Sequence, residues 1–133
     1  MKTLKSFYEG KLQTEVISLK DLVPYVTEPE NETFYIKLKE EIVADGGMRH
    51  PILVVPLSSE RVKEMIKHPL NREFKEVIKN LDIDIKENIL VVIKGNNRFY
   101  LAKELKCDEI ECIVTQLNDI VGVARANKVL QEH

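Results

Sequence analysis

The tetrapeptide Gly95-Asn96-Asn97-Arg98 stands between the apolar run "ILVVIK" and a segment with helical spacing. Its residue types suit an anion. A helix start leaves backbone N–H groups without intrahelical acceptors, and the helix dipole adds partial positive charge there. Both favour a phosphate or carboxylate. Gly95 lets the chain turn and lets a ligand approach the backbone. Asn96 and Asn97 offer uncharged donors and acceptors, and Arg98 offers a planar fork. Arg98 lies three, four and seven residues before Leu101, Ala102 and Leu105. It therefore continues the core-facing stripe at the first turn. The same four residues also suit a plain turn and helix cap, with Arg98 paired to a nearby carboxylate.

A second cluster reads Gly46-Gly47-Met48-Arg49-His50, directly before "PILVV". Arg49 and His50 would face the same anion as Arg98 if "PILVV" and "ILVVI" are neighbouring strands. Otherwise Arg49 and His50 are solvated loop residues. A third feature is "TEPENE", which supplies Glu28, Glu30 and Glu32. A carboxylate there could act as a general base or hold Mg2+, or simply face water. Cys107 and Cys112 have no zinc spacing and read as free thiols, Cys112 in the core.

The elements that must position these residues follow from periodicity. "EVISL" is a strand, and the proline-containing stretch after it reads as an irregular connection. Tyr35, Leu38 and Ile42 recur at helical spacing, with Phe34 and Val43 widening the stripe; Asn31 or Thr33 caps this helix and Gly46-Gly47 ends it. "PILVVP" is a buried strand. Ser58 or Ser59 starts a helix with Val62, Met65 and Ile66 inward, stopped by Pro69. Asn71 caps another, with Phe74, Val77, Ile78 and Leu81 inward. "ILVVIK" is a strand, "RFYLAKELK" a helix, and "EIECIV" a strand with Ile110, Cys112 and Val114 on one face. Asn118 then caps a last helix. The class is α+β (mixed α/β): a small mixed sheet of about four strands flanked by helices.

Length and composition agree with one domain over residues 1–133. At 44% hydrophobic and 32% charged, the chain can bury a core and keep a soluble surface. Its 20 basic and 22 acidic residues nearly cancel, so bulk charge does not mark a nucleic-acid binder. No apolar run is long enough to span a membrane and no signal peptide is evident, so a cytoplasmic protein is expected.

The order and spacing of these segments resemble the ParB N-terminal domain, the fold shared with sulfiredoxin. The resemblance rests on "VISLKDLVPY", "LKEEIVADGGMRHPILVV", "ILVVIKGNNRFYLAKEL" and "EIECIVT", and extends from residue 16 to the end, apart from a helical insertion at residues 57–88. It implies that Gly-x-x-Arg and the glycine loop before Pro-Ile bind phosphate groups: Gly95, Asn96, Asn97 and Arg98 with Gly47, Arg49 and His50. The implied ligand is a nucleotide or a DNA phosphate, with a nucleoside triphosphate and Mg2+ as the candidate cofactor, in DNA metabolism of the phage or plasmid kind. Enzymes of this fold, nucleases and small-molecule kinases, imply Glu28 or Glu30 as a catalytic carboxylate. The chain departs from sulfiredoxin, which has cysteine after the motif glycine where this chain has Asn96. It departs from CTP-switching ParB, which has Gly-Glu-Arg-Arg. The helix-turn-helix of ParB lies downstream of this domain, so centromere reading is not expected of these residues. A third reading is an interaction module, with the insertion and the last helix available for homodimerisation.

Overall fold

The computed structural model of the chain describes residues 2–116. Six strands form one mixed sheet among these residues: β1 (Thr3–Leu4), β2 (Glu15–Ser18), β3 (Leu22–Pro24), β4 (Ile52–Leu57), β5 (Ile89–Lys94) and β6 (Glu109–Val114). Four α-helices join them: α1 (Glu32–Asp45), α2 (Ser59–Met65), α3 (Arg72–Asn80) and α4 (Asn96–Glu104). The mixed α+β class is as the sequence indicates, with two more strands than expected. The helix expected after Asn118 lies outside the described residues.

The strands run in the order β1-β6-β4-β5-β3, with β2 antiparallel to β6. Cys112 pairs with both Glu15 of β2 and Ile52 of β4, and Glu109 with both Ser18 of β2 and Thr3 of β1. One edge of β6 therefore carries β2, and the other carries β1 followed by β4. The two unexpected strands have physical reasons. β1 is two residues long and takes its partner from a hundred residues away, so no local pattern marks it. β3 ends at Pro24 and pairs only with β5. A proline, which cannot donate to a ladder, is tolerated on such an edge, and it masks the strand in the sequence.

Each helix end is set by local chemistry. The Asn31 carboxamide oxygen accepts from Phe34 N at 3.1 Å and opens α1; Gly46, at φ +78°, closes it. Ser58 Oγ accepts from Arg61 N and opens α2. Asn71 occupies the start of α3 as expected but does not cap it. Its carboxamide turns inward instead, accepting from the Tyr25 hydroxyl and donating to Met65 O. Phe34 and Val43 are 55% and 59% exposed, so they do not widen the buried stripe of α1. That stripe is Tyr35, Leu38 and Ile42, the residues that pack on the sheet. Leu81 is also exposed, because α3 ends at Asn80 and the chain turns away before it.

Two cores sit on opposite faces of the sheet. Beneath α1 and α4, Leu4, Ile52, Val54, Val92, Phe99, Leu101 and Ile110 pack together. Beneath α2 and α3, Val55, Met65, Phe74, Val77, Val91 and Ile93 do so. Residues 57–88 thus cover a whole sheet face. Central β5 is buried on both faces, which explains why its sequence is continuously apolar rather than alternating.

Candidate functional site

β4 and β5 are antiparallel neighbours, with Leu53 opposite Lys94. The beginning of β4 therefore lies beside the end of β5. This juxtaposition brings the loop before β4, with Arg49 and His50, to the strand-helix turn at Gly95. The register shifts between Leu53 and Val54, which leaves Ile93 as an extra residue in β5. A bulge of this kind bends the strand and re-aims the residue that follows it.

Gly95 has φ +94°, a conformation that side chains other than glycine rarely adopt. A Cβ there would sit 2.6 Å from Ile52 Cγ2 and 2.8 Å from Arg98 Nη2. The glycine is therefore required by the guanidinium that folds back over it as well as by the turn. Arg98 Nη1 donates to the carbonyls of His50 and Pro51, the latter at 3.1 Å. One nitrogen thus ties α4 to the loop before β4. Burial pushes the Arg98 guanidinium down from its ordinary range to about 10, so it keeps its charge at neutral pH. Lys94 is also pushed down, first by burial and then by the neighbouring Arg98 charge. Two cations therefore meet at the end of β5.

They open onto a basin of about 530 Å3. Gly47, Arg49, His50, Lys94 and Arg98 line one side of it. Tyr8, Phe34, Leu38, Leu53 and Ile113 supply an apolar side, and Glu41 and Asp45 of α1 complete the lining. The volume is within the usual range for a small-molecule site.

The remaining residues singled out in the sequence lie elsewhere. Asn96 is buried; its Oδ1 accepts from Tyr25 N at 2.8 Å and its Nδ2 donates to Val92 O at 3.1 Å. It splices the ends of β3 and β5 together. The Asn97 carboxamide grips the backbone of Glu30 from both sides, accepting from its N at 2.8 Å and donating to its O at 3.0 Å. Neither carboxamide lines the basin. Glu28 and Glu30 are exposed and do not line it either. Glu28 lies toward Tyr100 and Glu73, where burial and then these carboxylates raise the Tyr100 phenol. Thr27 donates through N and Oγ1 to Glu73, and Tyr100 donates to Val26 O. The loop carrying the glutamates is thus pinned by α3 and α4. Gly47 is buried against the N-terminal segment, where a Cβ would meet Lys5 O at 2.9 Å. Its role in the structure is close chain packing, beside the Ser6–Met48 bridge.

Sequence reasoning missed Lys94 and the α1 side of the basin. Lys94 was legible as the last strand residue before the Gly95 turn. Phe34, Glu41 and Asp45 gave a weaker signal: an apolar residue outside the core stripe, on one helix face with two acids.

No protein-family model matches the chain, and no curated protein is similar to it. Among solved structures, SbnI with C-terminal truncation from Staphylococcus aureus is similar over 77% of this chain and 30% of that one, at 19% identity and a TM-score of 0.47. The chain therefore spans less than a third of that protein's length. No helix among the described residues is long and apolar enough to cross a membrane.

Proposed function

We propose that this chain is a ParB-like domain whose basin holds the phosphate of a nucleotide or nucleic acid. The observation that carries this reading is the convergence of Arg49, His50, Lys94 and Arg98 on one concavity. They come from two separate segments, residues 49–50 and residues 94–98, of a chain with net charge −2. Clustering like charges costs energy, and an anion between them offsets that cost. The motif order of the sequence supports the same reading. The Arg98 bonds to the loop carbonyls hold the guanidinium in place before a ligand arrives, which lowers the ordering cost of binding. With a nucleoside triphosphate, Mg2+ would be held largely by the phosphates.

Thermal stability measured with a panel of nucleotides and short DNA, with and without Mg2+, tests this. A ligand at about a hundred times its Kd stabilises the folded state by about 2.7 kcal/mol. The shift should vanish in Arg49→Ala, whose side chain is exposed. A panel with no shift would refute the reading.

A second reading, an enzyme of the same fold, has one observation in its favour: Asn97 fixes the backbone of Glu30 beside the first turn of α4. Metal-dependent DNA nicking, or ADP release with a small hydroxyl substrate, lost in Glu28→Gln or Glu30→Gln, would support it. Full activity in both variants would remove these carboxylates from the chemistry.

A further inference from the structure

We infer that Ser6 and Glu111 are positioning residues of the basin: the bond between them latches the N-terminal segment against the loop that carries Arg49 and His50, and so sets the affinity for an anion. This rests on the phosphate reading above. Glu111 stands where one edge of β6 divides. Ile110, just before it, pairs with Leu4 of β1, and Cys112, just after it, pairs with Ile52 of β4. The N-terminal segment leaves β6 at this fork and crosses to the loop before β4. There it holds the Met48 backbone by both its groups: Met48 N donates to Lys5 O at 2.8 Å, and Phe7 N donates to Met48 O at 2.9 Å. Arg98 holds the other end of the loop through the His50 and Pro51 carbonyls. Arg49 lies between the two grips.

Little pairing holds the segment itself. β1 has two residues, of which Leu4 is buried. Beyond them the Glu111 carboxylate accepts from Ser6 N at 3.2 Å and from Ser6 Oγ at 2.6 Å. Bonds to an ionised acceptor are stronger than neutral ones. Ser6 Oγ also accepts from Tyr8 N at 3.3 Å, and Tyr8 lines the basin. One serine hydroxyl thus fixes the stretch that braces the cationic loop and supplies the tyrosine wall. A loop held before the ligand arrives loses less freedom on binding. When only a fraction of the molecules hold it, the apparent affinity falls by that fraction. Charge alone predicts the opposite: removing a carboxylate makes the surroundings more positive and draws an anion in. The two effects differ in sign, so a variant at Glu111 decides between them.

The test is equilibrium binding of tripolyphosphate and ATP to the full chain and its variants, with amide hydrogen exchange at Phe7 and Met48 in the absence of ligand. Glu111→Ala should bind about three- to tenfold more weakly, the equivalent of one ordinary hydrogen bond, and should exchange both amides faster. Glu111→Gln loses the same charge but keeps an oxygen for Ser6, and should recover most of the affinity. Val77→Ala weakens the core on the opposite sheet face and should leave the affinity unchanged, which separates positioning from a general loss of stability. Ser6→Ala keeps the charge and removes only the hydroxyl; it should weaken binding in the same sense, and it carries the test if Glu111→Ala does not fold. Unchanged or tighter binding in the alanine variants, equal losses in Glu111→Gln and Glu111→Ala, a matching loss in Val77→Ala, or unaltered exchange at Phe7 and Met48 would each overturn the inference while the phosphate reading stands. No binding of either compound to the unaltered chain would sink both.

Discussion

Replacing Gly95 with alanine separates two reasons for a glycine, because Gly46 supplies an internal control. Both have positive φ, +94° and +78°. An L-residue in the left-handed region costs about 1–2 kcal/mol. At Gly46 nothing lies within 4 Å of the added Cβ, so Gly46→Ala should cost that backbone term alone. At Gly95 the new methyl would sit 2.6 Å from Ile52 Cγ2 and 3.0 Å from Arg98 Cζ. Ile52 is fully buried and cannot swing away, so overpacking adds about 1–3 kcal/mol. Gly95→Ala should therefore cost about 2–5 kcal/mol, and displacing the guanidinium should loosen the loop at His50 and Pro51. Urea unfolding at neutral pH gives both values. In Gly95→Ala/Arg98→Ala the methyl no longer meets a guanidinium, so the double variant should be less damaged than the sum of the two single changes. Equal costs for Gly95→Ala and Gly46→Ala would refute the claim that Arg98 packs on the glycine, as would strict additivity with Arg98→Ala.

Asn96→Ala should be more destabilising than Asn97→Ala under the same assay. It strips partners from two buried backbone groups at about 1–3 kcal/mol each, whereas the Asn97 bonds are exposed; the reverse order would contradict the splice between β3 and β5. Phe74→Ala in the 57–88 segment should cost as much as Phe99→Ala on the other face, about 3–5 kcal/mol each, since both are fully buried. A much smaller loss at Phe74 would make that segment an accessory rather than half of the core. Burial, followed by Glu15 and Glu111, pushes the Cys112 thiol up to about 12 from an ordinary 9. Between these values the folded state holds a proton that the unfolded state has released, so stability falls as pH rises, by up to about 1.4 kcal/mol per unit. Cys112→Ala should flatten the alkaline limb of a stability-pH curve above pH 9, and an unchanged slope would reject that assignment.

Much of the architecture was legible locally. The Asn31 and Ser58 caps, the Gly46 stop and the two apolar runs that became β4 and β5 each follow from a few adjacent residues. So did the turn at Gly95 and the inward lean of Arg98, because helical spacing places it on the buried stripe. β1 and β3 were not legible, since a two-residue strand and a proline-ended edge strand exist only through partners distant in sequence. The carboxamides of Asn71, Asn96 and Asn97 show the same limit. Asparagine suits caps, turns and ligands equally well by type, and only the position of Met65, Tyr25, Val92 and Glu30 in space directs each one to a backbone partner. Local sequence thus determined the elements, because caps, turns and periodicity act over a few residues. Tertiary structure alone decided which polar groups share the basin, because that depends on β4 lying antiparallel to β5 and on α1 crossing beside them.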